Sequence, residues 1–320
     1  MRRAAGLAAA LALIAPVAAA ASSALRPLLV AHGTYGESFT FVADLDDGTY
    51  LQLGLSFTNL GPGSTKGICR ALVVAPDGRL WRAQERFSRA EVSWHDGGEE
   101  RLAVGPCAAW ASDGGSGIEV KVDDGTIRLA TPERPRRQGG PSDVKVNGHL
   151  YQGEVLLYRV PVTVALALPH APARTVAGAG YLDHGRSAIP TKDLARRWVR
   201  FRALRGARPL LLLGREGHDG QFAPLWACAP GCSGDASFAA ERRGEGAETS
   251  FLVEVAGPAP VRIRSRRLLY RDAPLEQLGP LAPLVRPFTG SPVTYVFRAE
   301  AQPGDGATVD GILEVELSDE

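Results

Sequence analysis

Past its N-terminal segment the sequence has no apolar run near the ~18 residues needed to cross a bilayer. "VPVTVALAL" (Val160–Leu168) is far too short. An excess of charge of one sign is missing too. The 36 Lys and Arg nearly cancel the 35 Asp and Glu, leaving +1, which argues against nucleic acid as a partner because such proteins carry a strongly basic face. No His-x-His or His-x3-His pair aims two imidazoles at one ion, and His170, His184 and His218 are scattered, so no metal is expected. "GGSGI" is not a nucleophile elbow, and "GPGSTKG" lacks the spacing of a phosphate loop. No cofactor is expected either. A heptad pattern and a clear short repeat are also absent.

The N-terminus reads "MRRAAGLAAALALIAPVAAAASSALRP": two arginines, an apolar run, then small residues around Ala19–Ala21. That order is expected of an export signal covering residues 1–21 rather than of a structural helix. No Cys follows the run to carry a lipid anchor. The mature chain is expected to be exported, periplasmic or secreted, with peripheral membrane contact open to it. Four cysteines in an oxidising compartment suggest two disulfides, with three connectivities open to the sequence alone. Cys69–Cys107 and Cys228–Cys232 are favoured because each pair would then lie within one domain. "CAPGC" is a poor metal site, since two thiols do not complete a tetrahedron.

The periodicity along the chain is two. In "YLQLGLSFTN", Leu51, Leu53, Leu55 and Phe57 fall on one face; in "GIEVKVDDGTIRLAT", Ile118, Val120 and Val122 alternate with charge around a turn at Asp124-Gly125. Further turns are written as "APDGRL", "KVNGHL" and "REGHDGQF". Alternating strands punctuated in this way indicate an all-β sandwich or barrel. One helical segment is expected over Ala273–Phe288, broken into short turns by Pro280 and Pro283. The Pro-, Gly- and Arg-rich stretch Thr131–Asp143 is expected to be an exposed loop. The domain junction is placed at Leu168–Thr175, giving an N-terminal barrel over 26–168 and a C-terminal barrel over 175–320.

Three segments together resemble a known family: "DDGTYLQLGLSFTNLGPGSTKGICRALVVAPDGRLW", "VNGHLYQGEVLLYRVPVTVALALPHAPARTVAGAGYLDHGRSAIPTKDLARRWVRFRAL" and "APLEQLGPLAPLVRPFTGSPVTYVFRAEA". They look like the double lipocalin-like family that includes AttH-type proteins, carotenoid 1,2-hydratases and survival-factor proteins. The middle segment carries most of the likeness, through Gly178, Gly180, Tyr181, Asp183 and His184 ahead of Arg197 and Trp198. The resemblance implies two packed antiparallel β-barrels with an apolar cavity in one or both, in proteins that bind, hydrate or cyclise greasy molecules. The sequence departs from the hydratase branch at Arg186 and Ser187, where that branch has Trp and Gly. A permanent cation at Arg186 would disfavour protonating an alkene beside it.

On a strand, Tyr181 and Asp183 share one face while His184 takes the other with Leu182. One of Asp183 and His184 therefore reaches a cavity and the other ties strand to strand. Both are candidate catalytic residues. Tyr181, Arg197, Trp198 and Trp226 are candidate ligand-binding residues, with Trp226 at a cavity mouth. In "RRWVRFRALR", Val199, Phe201 and Ala203 are expected to face a barrel interior, with Trp198, Arg200 and Arg202 lining the seam between barrels, covering an edge or stacking with one another, a solvated strand face being the default. The reading the sequence favours is an exported binder of an apolar small molecule (lipid, fatty acid or isoprenoid) in a barrel cavity. The alternative is a hydratase, cyclase or isomerase acting on an isoprenoid-like substrate with Asp183 as proton donor. An envelope scaffold with filled barrels is a third possibility.

Overall fold

The structure, a computed structural model, describes residues 23–59, 65–138, 142–218, 222–228, 237–257, 260–304 and 306–318. Among the described residues twenty strands form two antiparallel sheets. The first sheet holds β1 (Gly36–Leu45), β2 (Tyr50–Thr58), β3 (Lys66–Val74), β4 (Leu80–Phe87), β5 (Val92–His95), β6 (Glu100–Val104), β7 (Cys107–Ser112), β8 (Gly115–Val122), β9 (Gly125–Thr131), β10 (Ser142–Val146), β11 (His149–Ala167) and β12 (Arg174–Ser187). The second holds β13 (Arg197–Ala203), β14 (Leu210–Glu216), β15 (Phe222–Cys228), β16 (Ser237–Arg243), β17 (Ser250–Ala256), β18 (Val261–Asp272), β19 (Val293–Pro303) and β20 (Val309–Leu317). Each sheet curls into a near-closed barrel in which the first strand pairs with the last, β1 with β12 and β13 with β20.

Alternation decides what each barrel encloses. Phe39, Phe41, Leu53, Leu55, Ile118 and Leu182 point inward and are fully buried against one another in the first barrel. Val199, Phe201, Val253, Tyr295, Phe297 and Leu313 do the same in the second. Among the described residues the inward faces are thus filled with side chains. A separate buried cluster, including Val42, Tyr50, Leu72, Tyr181, Val296 and Ile312, comes from outward-facing positions of both sheets and joins the barrels.

Three boundaries differ from the sequence reading. Strand β12 follows the expected junction at Leu168–Thr175, yet it pairs with β1 and β11 and so belongs to the first sheet. The Pro-rich stretch after Leu168 is a hairpin turn, and the chain crosses between sheets over 188–196, through the short α1 (Thr191–Leu194). The loop expected over Thr131–Asp143 ends early, because β10 begins at Ser142 and folds back on β11 through a two-residue turn of Asn147 and Gly148, both at positive φ. The β8–β9 turn is set one residue earlier than Asp124-Gly125: Asp123 and Asp124 take the positive-φ positions. Near the C-terminus the broken helical segment expected over Ala273–Phe288 is a 3-10 segment (Pro274–Leu281) followed by α2 (Ala282–Thr289). Among the described residues no helix is long and apolar enough to cross a membrane.

Cys69 on β3 and Cys107 on β7 form a disulfide inside the first barrel, between strands that share no ladder. The expected partner bridge, Cys228–Cys232, lies outside the described residues, as does the export segment 1–21. Glu37 fixes the segment that precedes β1. Its carboxylate accepts from the amides of Leu28 and Leu29, from the Tyr35 hydroxyl at 2.8 Å, and pairs with His184 Nε2 at 2.8 Å. Burial alone would raise the Glu37 pKa. The His184 and Tyr35 contacts and the Leu29 amide outweigh that and hold it below the ordinary glutamate value.

Two stability tests follow from these contacts. The bridge closes a loop with a sequence separation of 38, so replacing both cysteines with alanine should lower the unfolding free energy. The chain-entropy estimate for such a loop is about 4 kcal/mol, read as a lower urea midpoint under non-reducing conditions. For Glu37, a depressed carboxyl stabilises the folded chain above the ordinary carboxylate range and loses that contribution as pH falls through the folded value. Glu37→Gln should therefore cost about 1–3 kcal/mol at pH 7, and its gap from wild type should close in acid. A gap that stays constant down to about pH 3 would rule this out.

Candidate functional site

Strand alternation places Tyr181 and Asp183 on the outer face of the first barrel and Leu182 and His184 on its inner face. His184 is stacked on Phe39 with ring centroids 4.1 Å apart and is 5% exposed, closed in by its bond to Glu37. Its contacts are those of a strand tie. Asp183 faces the second barrel. There β13, on its own outer face, presents Trp198, Arg200 and Arg202, and β20 presents Glu314 and Glu316 in the adjoining register. These side chains form the floor of a cleft of about 600 Å³ between the barrels. In place of the cavity expected inside a barrel, the described residues form a hollow between the barrels, charged on one side and reaching the rim of the first barrel at Glu37, Phe57 and His184.

The floor is an ion network. Arg202 is 1% exposed, its Nη1 donates to Glu314 at 2.8 Å, and its Nη2 lies 3.6 Å from Asp183. Arg200 donates to Glu314 at 2.8 Å and to Glu316 at 3.3 Å. The Arg202 guanidinium lies 4.7 Å over the Tyr181 ring, whose buried hydroxyl sits beside Asp183 and Arg202 but outside good hydrogen-bond geometry with either. The Tyr50 hydroxyl and Arg70 Nε are further buried polar atoms without a hydrogen bond among the described residues. Buried polar atoms are costly to leave unpaired, so several here mark a place built for something other than packing.

The two carboxyls on Arg202 are pushed in opposite directions. Burial raises Asp183 above its ordinary value by more than Arg202 and Arg200 lower it. Burial acts on Glu314 as well, but Arg200 and Arg202 overcome it and hold Glu314 down to about 2. Both arginines are raised despite burial, chiefly by Glu314. Asp183 borders the cleft with 24% of its side chain exposed. An acid with a raised pKa beside a permanently ionised carboxylate is the arrangement that lets two like groups take different parts in proton transfer.

Trp198 borders the cleft with Tyr151, ring centroids 5.4 Å apart, and Leu213 and Leu194 extend this apolar wall. Burial pushes the Tyr151 hydroxyl up to about 12. Tyr181 lies just behind the cleft floor. Arg197 is turned the other way, toward Glu216 and the Ala240 carbonyl, and does not border the cleft. The Trp226 side chain lies outside the described residues. Arg186 falls on the His184 side of β12 and donates to Gln152 at 2.8 Å, so the cation nearest Asp183 is Arg202. Sequence reasoning offered the seam as one of several places for Arg200 and Arg202, and it missed Glu314 and Glu316. The signal was present in "GILEVELSDE", where both glutamates alternate with apolar residues, but nothing local says that β20 lies beside β13. Among the described residues no group of three His, Cys, Asp or Glu side chains is placed to hold a metal ion.

No protein-family model matches the chain, and no curated protein matches it. Solved structures do. A putative AttH from Nitrosomonas europaea is similar with a TM-score of 0.59 at 15% identity, over 89% of this chain and 92% of that one. CghA, solved alone and with Sch210972, is similar with TM-scores of 0.54 and 0.52 at 13% identity, over 90% of this chain and 89% of that one. Identities this low speak to architecture, and the architecture agrees with the strand pairing described above. This chain has the AttH-like, lipocalin-like double-barrel fold.

Proposed function

We propose that this protein is an enzyme of the hydratase, cyclase or isomerase type, in which Asp183 protonates an unsaturated, isoprenoid-like small molecule held in the cleft between the barrels. The observation that carries the reading is Asp183 itself, a carboxyl raised by burial, open to the cleft and neighboured by an ionised Glu314. The fold lends support through CghA, which was solved with Sch210972. A carrier holding its cargo inside a barrel is less well supported, since the inward faces of both barrels are occupied by their own side chains.

The chemistry balances in two steps. The π pair of the substrate double bond takes the proton of Asp183, forming a C–H bond and leaving a carboxylate on the enzyme and a cation on the adjacent carbon. A water lone pair, or a second double bond of the same molecule, then captures that cation. The proton released from the attacking water or from a neighbouring carbon returns to Asp183, which restores the acid. Glu314 and Glu316 face the developing positive charge as fixed negative partners, and Trp198 and Tyr151 offer it aromatic faces. Arg186 also borders the cleft, but strand alternation puts it on the opposite face of β12 from Asp183, and its guanidinium is engaged by Gln152.

The reading is tested in D2O with acyclic isoprenoid alkenes as probes. Wild-type protein should place deuterium on the substrate, read by mass spectrometry, and Asp183→Asn should lose the label by a factor of about 100 or more while still binding the probe. Because the acid form is the active one, the rate should hold at low pH and fall as pH rises through the raised Asp183 value. Equal labelling by Asp183→Asn, or unlabelled lipid copurifying with the wild-type chain, would sink it and favour a carrier.

A further inference from the structure

Arg202 stands between two carboxyls from different barrels and bonds only one of them. Glu314 takes its Nη1 at 2.8 Å, whereas Asp183 lies 3.6 Å from Nη2, in ion-pair range without a hydrogen bond. The position is held from several sides. Arg200 shares Glu314 with Arg202, the Tyr181 ring lies under the guanidinium, and at 1% exposure Arg202 has no solvent to turn toward. Without Glu314 the nearest carboxyl left to Arg202 is Asp183.

We infer that Glu314 is a positioning residue: it holds the Arg202 guanidinium on β20 and so keeps it from closing a hydrogen-bonded ion pair onto Asp183. The inference rests on the reading of Asp183 as proton donor, and deepens it by naming the residue that keeps the donor available. The groups that act on Asp183 come from four strands: Tyr181 on β12, Tyr151 on β11, Arg200 and Arg202 on β13, and Glu314 on β20. Arg70 on β3 reaches this set through Glu314. Of these, Glu314 alone both repels a charge on Asp183 and restrains the cation that would attract one. Glu316 touches Arg200 only, at 3.3 Å, and lacks the second effect.

The test reads the Asp183 carboxyl directly, in the full chain with no substrate present, by the 13C shift of its Cγ against pH, assigned with Asp183→Asn. In Glu314→Gln its titration should fall by about one pH unit or more, since an opposite charge freed at this range lowers a carboxyl by ~1–3 units. Arg202→Met should move it upward, and Glu316→Gln should move it by less than half as much as Glu314→Gln. Should Glu314→Gln not fold, the other two variants carry the comparison: an upward shift in Arg202→Met larger than any shift in Glu316→Gln is expected. A titration unmoved by Glu314→Gln or by Arg202→Met, or moved equally by the two glutamate variants, overturns the inference. The readout needs no turnover, so shifts as expected in a chain that labels no isoprenoid would leave Glu314 in this role and remove the catalytic reading alone.

Discussion

A guanidinium buried between two barrels is the constraint around which the rest of the structure is arranged. Taking the Arg202 charge out of water costs several kcal/mol, and only a well-placed carboxylate offsets that. Glu314 supplies it from the neighbouring strand of the same barrel, and Asp183 approaches from the other. Farther along the seam Arg298 bonds Asp44 at 2.7 Å and Arg82 bonds Asp272 at 2.8 Å, each pair again spanning both barrels. The apolar cluster around Tyr50, Tyr181 and Ile312 contributes the bulk of the adhesion by removing surface from water. The ion pairs add direction, because a small rotation of one barrel would strand a buried charge.

Barrel closure is what brings the charged groups together. In each barrel the first strand pairs with the last, and the seam recruits these strands, β1 and β12 from one barrel and β13 and β20 from the other. Residues distant in the chain, such as Arg200 and Glu314, become cross-strand neighbours. The crossing over 188–196 is short, so Asp183 at the end of one barrel and Arg202 at the start of the next are held close by sequence as well. A cleft placed here inherits rigid walls from both barrels and stays partly open at their margin.

Much of this was legible in the residues. Alternation alone separates Asp183 from His184, and it separates Arg200 and Arg202 from Val199 and Phe201, because a strand has only two faces. Turn chemistry marks the Asn147-Gly148 hairpin. What escaped was non-local. The pairing of β13 with β20 follows from closure, which no window of sequence contains, so Glu314 and Glu316 read as ordinary exposed positions of a wet face. Strand β11 runs for nineteen residues with two register shifts and Arg159 at positive φ, which breaks the period of two that a reader would follow. The junction was misplaced because a proline-rich hairpin and a proline-rich linker have the same composition.

The same face argument resolves the apparent conflict over Arg186. A cation beside a developing carbocation is unfavourable, and in the sequence Arg186 stands three residues from Asp183. Three residues along a strand reverse the face, however, and Arg186, although it borders the cleft, is engaged by Gln152. The cations that do approach Asp183 are Arg202 and Arg200, and their charges are matched by Glu314 and Glu316. Asp183, raised by burial, thus stands over a floor whose charges balance. The electrostatics of the cleft thus depend less on the residues adjacent to Asp183 in the chain than on a strand 130 residues further on, joined to it by one arginine.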